Sequence, residues 1–560
     1  MSLLHRLGAY VARRRRITLV TGLLVTLVFA AVGAGAMGVL VLNRWEAPGT
    51  ESVRAQELLQ REFGTGNANL ILLVTARSGN VDDAAARAAG QQLHDDLRSR
   101  PLVGDAWSYW SEGGDPMLRG SDGRQALVLA HVEGDATTAR VEIRERLLPA
   151  FTRTSDAIDV RVAGSEAVSA QISQQATMDF VRAEMLIIPV MVILLFALYR
   201  RVRLALLTLG IGLFAVFGTL AGLRLLAGVT EVSTFAANIT LVMGVGLGVD
   251  YSLFVIARFR EELATGARVP DAVATTVRTA GRTVIFSGLT VAASLSALLV
   301  FPYSFLRSFA YAGILVVGFA VFGSLTLLPA ALAVLGPRAL RRGRAPDAAG
   351  GRGWYGFGAL VMRRPLLFAT AGLVLIAVLG SPALGLRIGL PDDRVLPPSA
   401  STRQAYDELR ANFAQEANDA IHIVAPAGRP DATTGYAAQL SRIDGIAGVN
   451  SGAGVFVDGV LARPAPNPER LTSQSGTRLE AIPTRDVLAG TEVSDLVERI
   501  RAEPTPFGRV LVGGYPAELT DFRSTLMERV PLVAALILAI TFVLLMLMSG
   551  SLLIPFEPER

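Results

Sequence analysis

Apolar positions in this chain gather into eight near-continuous runs rather than the spaced stripes of amphipathic surface helices. The runs cover residues 17–42, 185–199, 204–228, 232–257, 283–303, 308–337, 365–386 and 530–548. Each is long enough, or nearly so, for a helix to cross a hydrocarbon core, which takes about 20 residues. The second run is short, but a helical pattern starting near Ala167 leads into it. Two long polar segments, 44–184 and 387–529, follow the first and seventh runs, and the pattern changes there. In the first, strands are predicted at 69–76 (NLILLVTA), 125–132 and 158–163, with helices at 81–97 and 136–147. In the second, strands are predicted at 420–424, 477–482 and 510–513, a hairpin at 455–461 and helices at 431–443 and 492–502. This alternation is that of a split β-α-β unit. The expected fold class is an α-helical polytopic membrane protein with two extramembrane α+β domains. Its parts are a tail and first span (1–43), the first domain (44–184), five spans (185–337), a basic linker (338–364), a seventh span (365–386), the second domain (387–529) and an eighth span with the chain end (530–560).

The plan is duplicated. The segment 7–14 (LGAYVARR) matches 357–364 (FGALVMRR), and each runs into an apolar span. The segment 161–168 (RVAGSEAV) matches 511–518 (LVGGYPAE), pairing Gly164 with Gly514. Both matches have an offset of 350 positions. Internal repeats of this kind characterise transporters.

Composition and charge sharpen the picture. Apolar residues make up 51% of the chain, and cysteine is absent. The external domains must therefore be held by packed cores rather than disulfides. No lysine occurs, so all 53 basic residues are arginine, and the net charge is +5. The arginines sit at span ends (Arg13 to Arg16, Arg200 to Arg203, Arg258 to Arg282, Arg338 to Arg364) rather than on one soluble face, which argues against a nucleic-acid partner. Every second loop is basic, so the positive-inside rule puts the N-terminus in the cytoplasm and both long segments outside. The first run is too long for a cleaved signal peptide despite Ala34-Gly35-Ala36. Pro270 suits the first turn of a helix whose Ala272, Val273, Thr276, Val277 and Ala280 share a face, predicting a short interfacial helix.

Candidate chemistry centres on Asp250, in the fourth run (LVMGVGLGVDYSL, 241–253). It precedes Arg258, the expected end of that span, by eight residues, or about 12 Å of helix. A carboxylate at that depth costs about 2.5–3.5 kcal/mol to insert and should face protein or a water path. A buried carboxyl of raised pKa can load and release a proton, and the adjacent Tyr251 offers a hydroxyl. Gly244, Gly246 and Gly248 have the wrong spacing and context for a nucleotide fingerprint and are read as helix-packing positions. Ser287, Thr290 and Ser294 share one side of the fifth run; they either serve the carboxylate or bond their own i−4 carbonyls. Trp107, Tyr109 and Trp110 are read as core. His5, His94, His131 and His422 are isolated in sequence and give no metal signature. There is no Walker motif and no nucleophile–base constellation, so no cofactor and no enzyme activity are expected.

These residues resemble a family. Gly244–Tyr251 (GVGLGVDY), Arg258–Glu262 (RFREE), Thr283–Val291 (TVIFSGLTV) and the external domain after each half's first span are similar to the mycobacterial-membrane-protein-large (MmpL) transporters of the resistance–nodulation–division (RND) superfamily. The resemblance covers nearly the whole chain. It implies a bacterial inner-membrane exporter of lipids or other hydrophobic compounds, driven by protons, with porter-type external domains. It implies that Asp250 and Tyr251 form a proton relay lined by Ser287. Family members carry twelve spans and a second Asp-Tyr pair, which the offset would put near position 600. About eight of twelve spans are therefore expected here, and a fragment, an interrupted frame or a second chain would each account for the difference. The rival readings are a non-transporting lipid-binding scaffold and a protein-translocation accessory. Homo-oligomers and accessory proteins stay open as partners beside substrate, protons and membrane lipids.

Overall fold

The computed structural model describes residues 3–41, 47–134, 136–339, 350–385, 392–413, 419–426, 430–465, 467–473, 476–489 and 492–549. The end of the chain and the core of the 338–364 linker lie outside them.

Eight helices among these residues are long and apolar enough to cross a bilayer: Arg15–Gly38, Ser165–Ala197, Val202–Leu226, Phe235–Ala264, Val269–Val300, Ser304–Ala339, Pro365–Ala383 and Tyr515–Met548. They are called spans 1 to 8 below. Spans 3, 4 and 6 form the packed centre, with span 5 and span 1 against them. Val255, Ile256, Phe259, Val316, Ala320 and Leu328 are buried at this centre. The helix of span 7 has no buried residue.

Helix α1 (Leu3–Arg13) precedes span 1 and lies along the start of span 5. A Cβ on Gly8 would come 2.8 Å from the Ala274 Cα, so glycine permits that approach. This corrects the expected interfacial helix at 270–280. Val269–Ser296 is one continuous helix, and Ala272, Val273, Thr276 and Val277 are buried within the protein. Among the described residues, α1 packs along this part of the helix and supplies the apolar partner that its sequence calls for.

The two external segments build similar sheets. The first contains β1 (Leu70–Ala76), β2 (Val103–Ser108), β3 (Gln125–Val132), β4 (Arg153–Thr154) and β5 (Ile158–Ala163), in the order β2-β3-β1-β5-β4. The second contains β6 (Ile421–Pro426), β7 (Ile446–Ser451), β8 (Gly454–Val457), β9 (Val460–Arg463), β10 (Thr472–Ser473), β11 (Gly476–Pro483) and β12 (Leu511–Gly513). Its order is β12-β6-β11-β7-β8-β9, with β10 on β11. The series β5-β1-β3-β2 and β12-β6-β11-β7 are equivalent, and every pairing within them is antiparallel. Among the described residues, the β8–β9 hairpin has no counterpart in the first sheet.

The matched glycines now have a physical cause. Gly164 (φ 114°) and Gly514 (φ 97°) lie between the last strand of each sheet and the span that follows. A Cβ on either would meet a backbone carbonyl oxygen at 2.4 Å, that of Asn69 or Ala420. Both the left-handed φ and the close approach exclude a side chain.

The halves also exchange a helix. Helix α2 (Glu51–Phe63) opens the first segment but packs on β12 and β6 of the second sheet. Helix α3 (Ser401–Asn412) opens the second segment but packs on β5 of the first sheet. Their buried residues correspond at the same 350 offset: Ser52, Ala55 and Leu59 against Thr402, Ala405 and Leu409. Each free N-terminus is capped from the base of a span. The Ser52 N–H donates to Asp521 Oδ2 (2.9 Å), and the Thr402 N–H to Gln171 Oε1 (3.4 Å). Neither external segment is closed on its own.

Candidate relay site and interdomain cluster

Asp250 stands near the middle of span 4, and packing with span 3 fixes its helix. A Cβ on Gly244 would come 2.6 Å from Val216 Cγ2, and one on Gly248 would come 2.6 Å from the Gly212 Cα. These two glycines let the helices touch. Gly246 departs from the expectation: a Cβ there meets nothing within 4 Å. The reason is helical period, since Val242, Gly246, Asp250 and Phe254 recur every four residues along one exposed stripe. Asp250 therefore points away from the span 3 seam, and no ion pair holds it among the described residues.

Tyr251 faces the other way and is 3% exposed. Its hydroxyl lies beside span 5, where a Cβ on Gly288 would be 3.5 Å from it. Ser287 and Asp250 are its polar neighbours. No partner satisfies full hydrogen-bond geometry with the Tyr251 hydroxyl, nor with the buried hydroxyls of Ser252 and Ser324. The sequence reading missed the last two, because a serine that bonds its own helix and one that does not look alike in sequence. Thr290 takes the bland option and donates to the Phe286 carbonyl (2.9 Å). Ser287 is exposed and neighbours the Tyr251 hydroxyl. Below the site, Arg258 pairs with Glu261 (2.9 Å) and Glu262, and Arg260 donates to the Ala339 carbonyl (3.0 Å).

A second charged site joins the external sheets. Asp105 on β2 receives Arg470 (3.1 Å) and Arg478 (3.4 Å), both of which also contact Glu480 on β11 (3.0 and 3.6 Å). The Arg470 guanidinium lies 3.9 Å over the Trp107 ring. Trp107 and Tyr109 are buried in the first domain, as expected, but Trp107 also forms part of this contact. The Asn467 amide donates to Glu112 (2.9 Å), and a polar cavity of about 400 Å³ opens between these residues.

Three histidines, isolated in sequence, converge around this cluster. His422 lies opposite Glu480 in the β6–β11 register, and His131 holds the Asn67 carbonyl at 2.9 Å. His94 lines the cavity with Asp105. Burial pushes His422 down to about 4, with Glu480 opposing, and lowers His131 and His94 as well. Burial alone would raise Glu480, but Arg470 and Arg478 hold it down to about 2. No group of three potential metal ligands occurs among the described residues.

A central helix bundle and two duplicated α+β modules joined by exchanged helices are the fold of an RND-type transporter. The chain belongs to the MMPL family, whose pattern matches residues 44–368. It is 33% identical over 98% of its length to a membrane protein of Streptomyces coelicolor, covering 74% of that protein. It is 28% identical over 96% of its length to the trehalose monomycolate exporter MmpL3 of Mycolicibacterium smegmatis, covering 57% of that exporter. The chain thus spans a little over half the length of the mycobacterial exporters it matches. In three dimensions it resembles the hedgehog release protein Disp of the water bear Hypsibius dujardini, with a TM-score of 0.58 and 13% identity over 97% of this chain and 83% of that one.

Proposed function

We propose that this chain forms the main part of a proton-driven exporter of lipids or other hydrophobic compounds in a bacterial cytoplasmic membrane. Asp250 and Tyr251 are its proton relay, Ser287 lines the relay, and the N-terminus is cytoplasmic. The observation that carries this reading is the pairing on one helix turn of a carboxylate that has no ion pair among the described residues with a buried tyrosine hydroxyl that makes no hydrogen bond of full geometry and has Ser287 as its polar neighbour. A group meant only to hold helices together would be saturated with hydrogen bonds. The relay would change the charge of span 4 on each cycle, and spans 3 and 5 pack against it. The external modules, tied at Asp105 and through the exchanged helices, are the porter that such a motion would drive. Export of lipid by the MmpL3 relative supports the substrate class. The exposed Asp250 stripe favours one addition: in the membrane, further protein covers it, because an ionised carboxylate facing lipid at this depth costs about 2.5–3.5 kcal/mol.

The test uses vesicles with an imposed pH gradient and a fluorescent acyl-chain phospholipid. The reading expects gradient-dependent movement of the probe that Asp250→Asn abolishes while the protein stays inserted and folded. Movement that persists in Asp250→Asn, or that ignores collapse of the gradient, would overturn it.

A further inference from the structure

The relay accounts for the span 4–span 5 side of the bundle but leaves the opposite side unused. There, a groove of about 670 Å³ runs between span 1 and spans 3 and 6. Thr21, Val25 and Phe29 of span 1 face Phe214, Gly318 and Phe322 across it. The volume lies within the usual 300–1,000 Å³ range of small-molecule sites. Its wall is almost wholly apolar, and its far end is closed by aromatic contacts of Phe29 with Phe214 (5.9 Å) and Phe319 (5.2 Å).

Four consecutive arginines, Arg13 to Arg16, lie between Val11 of α1 and Ile17 of span 1, which both line the groove. Residues 18, 21, 25 and 29 fall on one helical stripe of span 1, and Arg14 is the non-helical residue between α1 and span 1. Arg14 thus lies at the break between Val11 and Ile17, and the Thr18 hydroxyl donates to the Arg14 carbonyl (3.2 Å). Arg15 is tied to span 6 through the Ala333 carbonyl (2.7 Å). Arg13, Arg14 and Arg16 are exposed and have no acidic partner among the described residues. No acidic residue occurs before Glu46. From Ile17 to Phe29 the groove extends about 18 Å, close to the roughly 15 Å of one hydrocarbon leaflet.

We infer that this groove is a binding site for one anionic phospholipid, with an acyl chain along span 1 up to the Phe29 wall and the phosphate headgroup at Arg14 and its neighbours. In the orientation proposed above, that headgroup lies in the cytoplasmic leaflet, where anionic lipids attract basic segments. Its test reads retained lipid and so does not depend on transport.

Gly318 offers a clean way to fill the groove, because a Cβ there meets nothing within 4 Å. The full chain in detergent is titrated with phosphatidylglycerol and with phosphatidylcholine, and bound lipid is counted by native mass spectrometry. One phosphatidylglycerol should be retained, about tenfold or more in preference to phosphatidylcholine. Arg14→Gln should weaken phosphatidylglycerol about fivefold and leave phosphatidylcholine unchanged. Gly318→Phe should remove both; if that variant does not fold, Val25→Trp fills the same groove from span 1. Equal affinity for the two lipids, or undiminished phosphatidylglycerol binding in the filled variant, would overturn the site.

Discussion

Two aspartates divide the charged chemistry of this molecule. Asp105, outside the membrane, is surrounded by Arg470, Arg478 and the Thr65 hydroxyl (2.8 Å), so its charge is compensated and its geometry fixed. Asp250, within span 4, forms no ion pair among the described residues, and the Tyr251 hydroxyl is its polar neighbour. A compensated buried charge resists change, because removing one partner strands the other. An uncompensated carboxylate can change its protonation state with little rearrangement. The first arrangement suits a joint between domains, and the second suits a proton carrier.

The largest contrast should appear when each site is neutralised. Asp250→Asn should reduce lipid movement to background yet leave thermal stability in detergent nearly unchanged. Arg478→Met should do the reverse in kind. It leaves Asp105 and Glu480 to share Arg470, one negative charge uncompensated in a site where Arg478 is wholly buried, at a cost of about 3–5 kcal/mol. Thermal unfolding followed by tryptophan fluorescence checks this, since Trp107 lies in the cluster. A fully stable Arg478→Met protein would remove the distinction between joint and carrier.

Acid should separate the sites next. His422 is held neutral to about 4 in the fold, against 6.5 when unfolded. Between those values the unfolded state binds the extra proton, so stability falls as pH drops from about 6.5 to 4, by about 3 kcal/mol at most. Glu480, held down to about 2, extends the loss below about 4.5. The lowered His131 and His94 act in the same direction as His422. A melting series from pH 8 to 4 should therefore stay level above about 6.5 and decline below it, and His422→Leu should flatten that decline. An unaltered slope in that variant would assign the acid sensitivity elsewhere.

The membrane plan was legible because apolar runs announce it, and so were the buried strands. The edges of β3 and β5 fall where the sequence pattern places them, since every residue of β3 is buried and β5 keeps a strict core face. Strand β2 escaped notice because Val103-Gly104-Asp105 is half-buried and its aspartate serves the other domain. Helices α2 and α3 escaped for a related reason. Each has only two or three small or apolar core positions, and the sheet they cover belongs to the other half. The 350-residue offset revealed that the halves correspond but carried no sign that they interlock. The histidine cluster was invisible for the same cause: His131 and His422 are 291 positions apart and meet only through the packing of two sheets.

The finest test concerns the glycines that set the Asp250 face. Gly246 and Gly248 are two residues apart in the same helix, so alanine raises helix propensity about equally at both. Their surroundings differ. At Gly246 the added methyl enters open space, and Gly246→Ala should leave stability unchanged or slightly raised. At Gly248 it would press on the Gly212 Cα at 2.6 Å, and backbone cannot rotate away as a side chain can. Spans 3 and 4 must then separate, with an overpacking cost of about 1–3 kcal/mol. The same separation would turn the stripe that carries Asp250 and shift the Tyr251 hydroxyl from Ser287. Gly248→Ala should therefore lower lipid movement more than its stability loss alone explains, while Gly246→Ala preserves both. Equal behaviour of the two variants would mean that contact with span 3 does not set the direction in which Asp250 points.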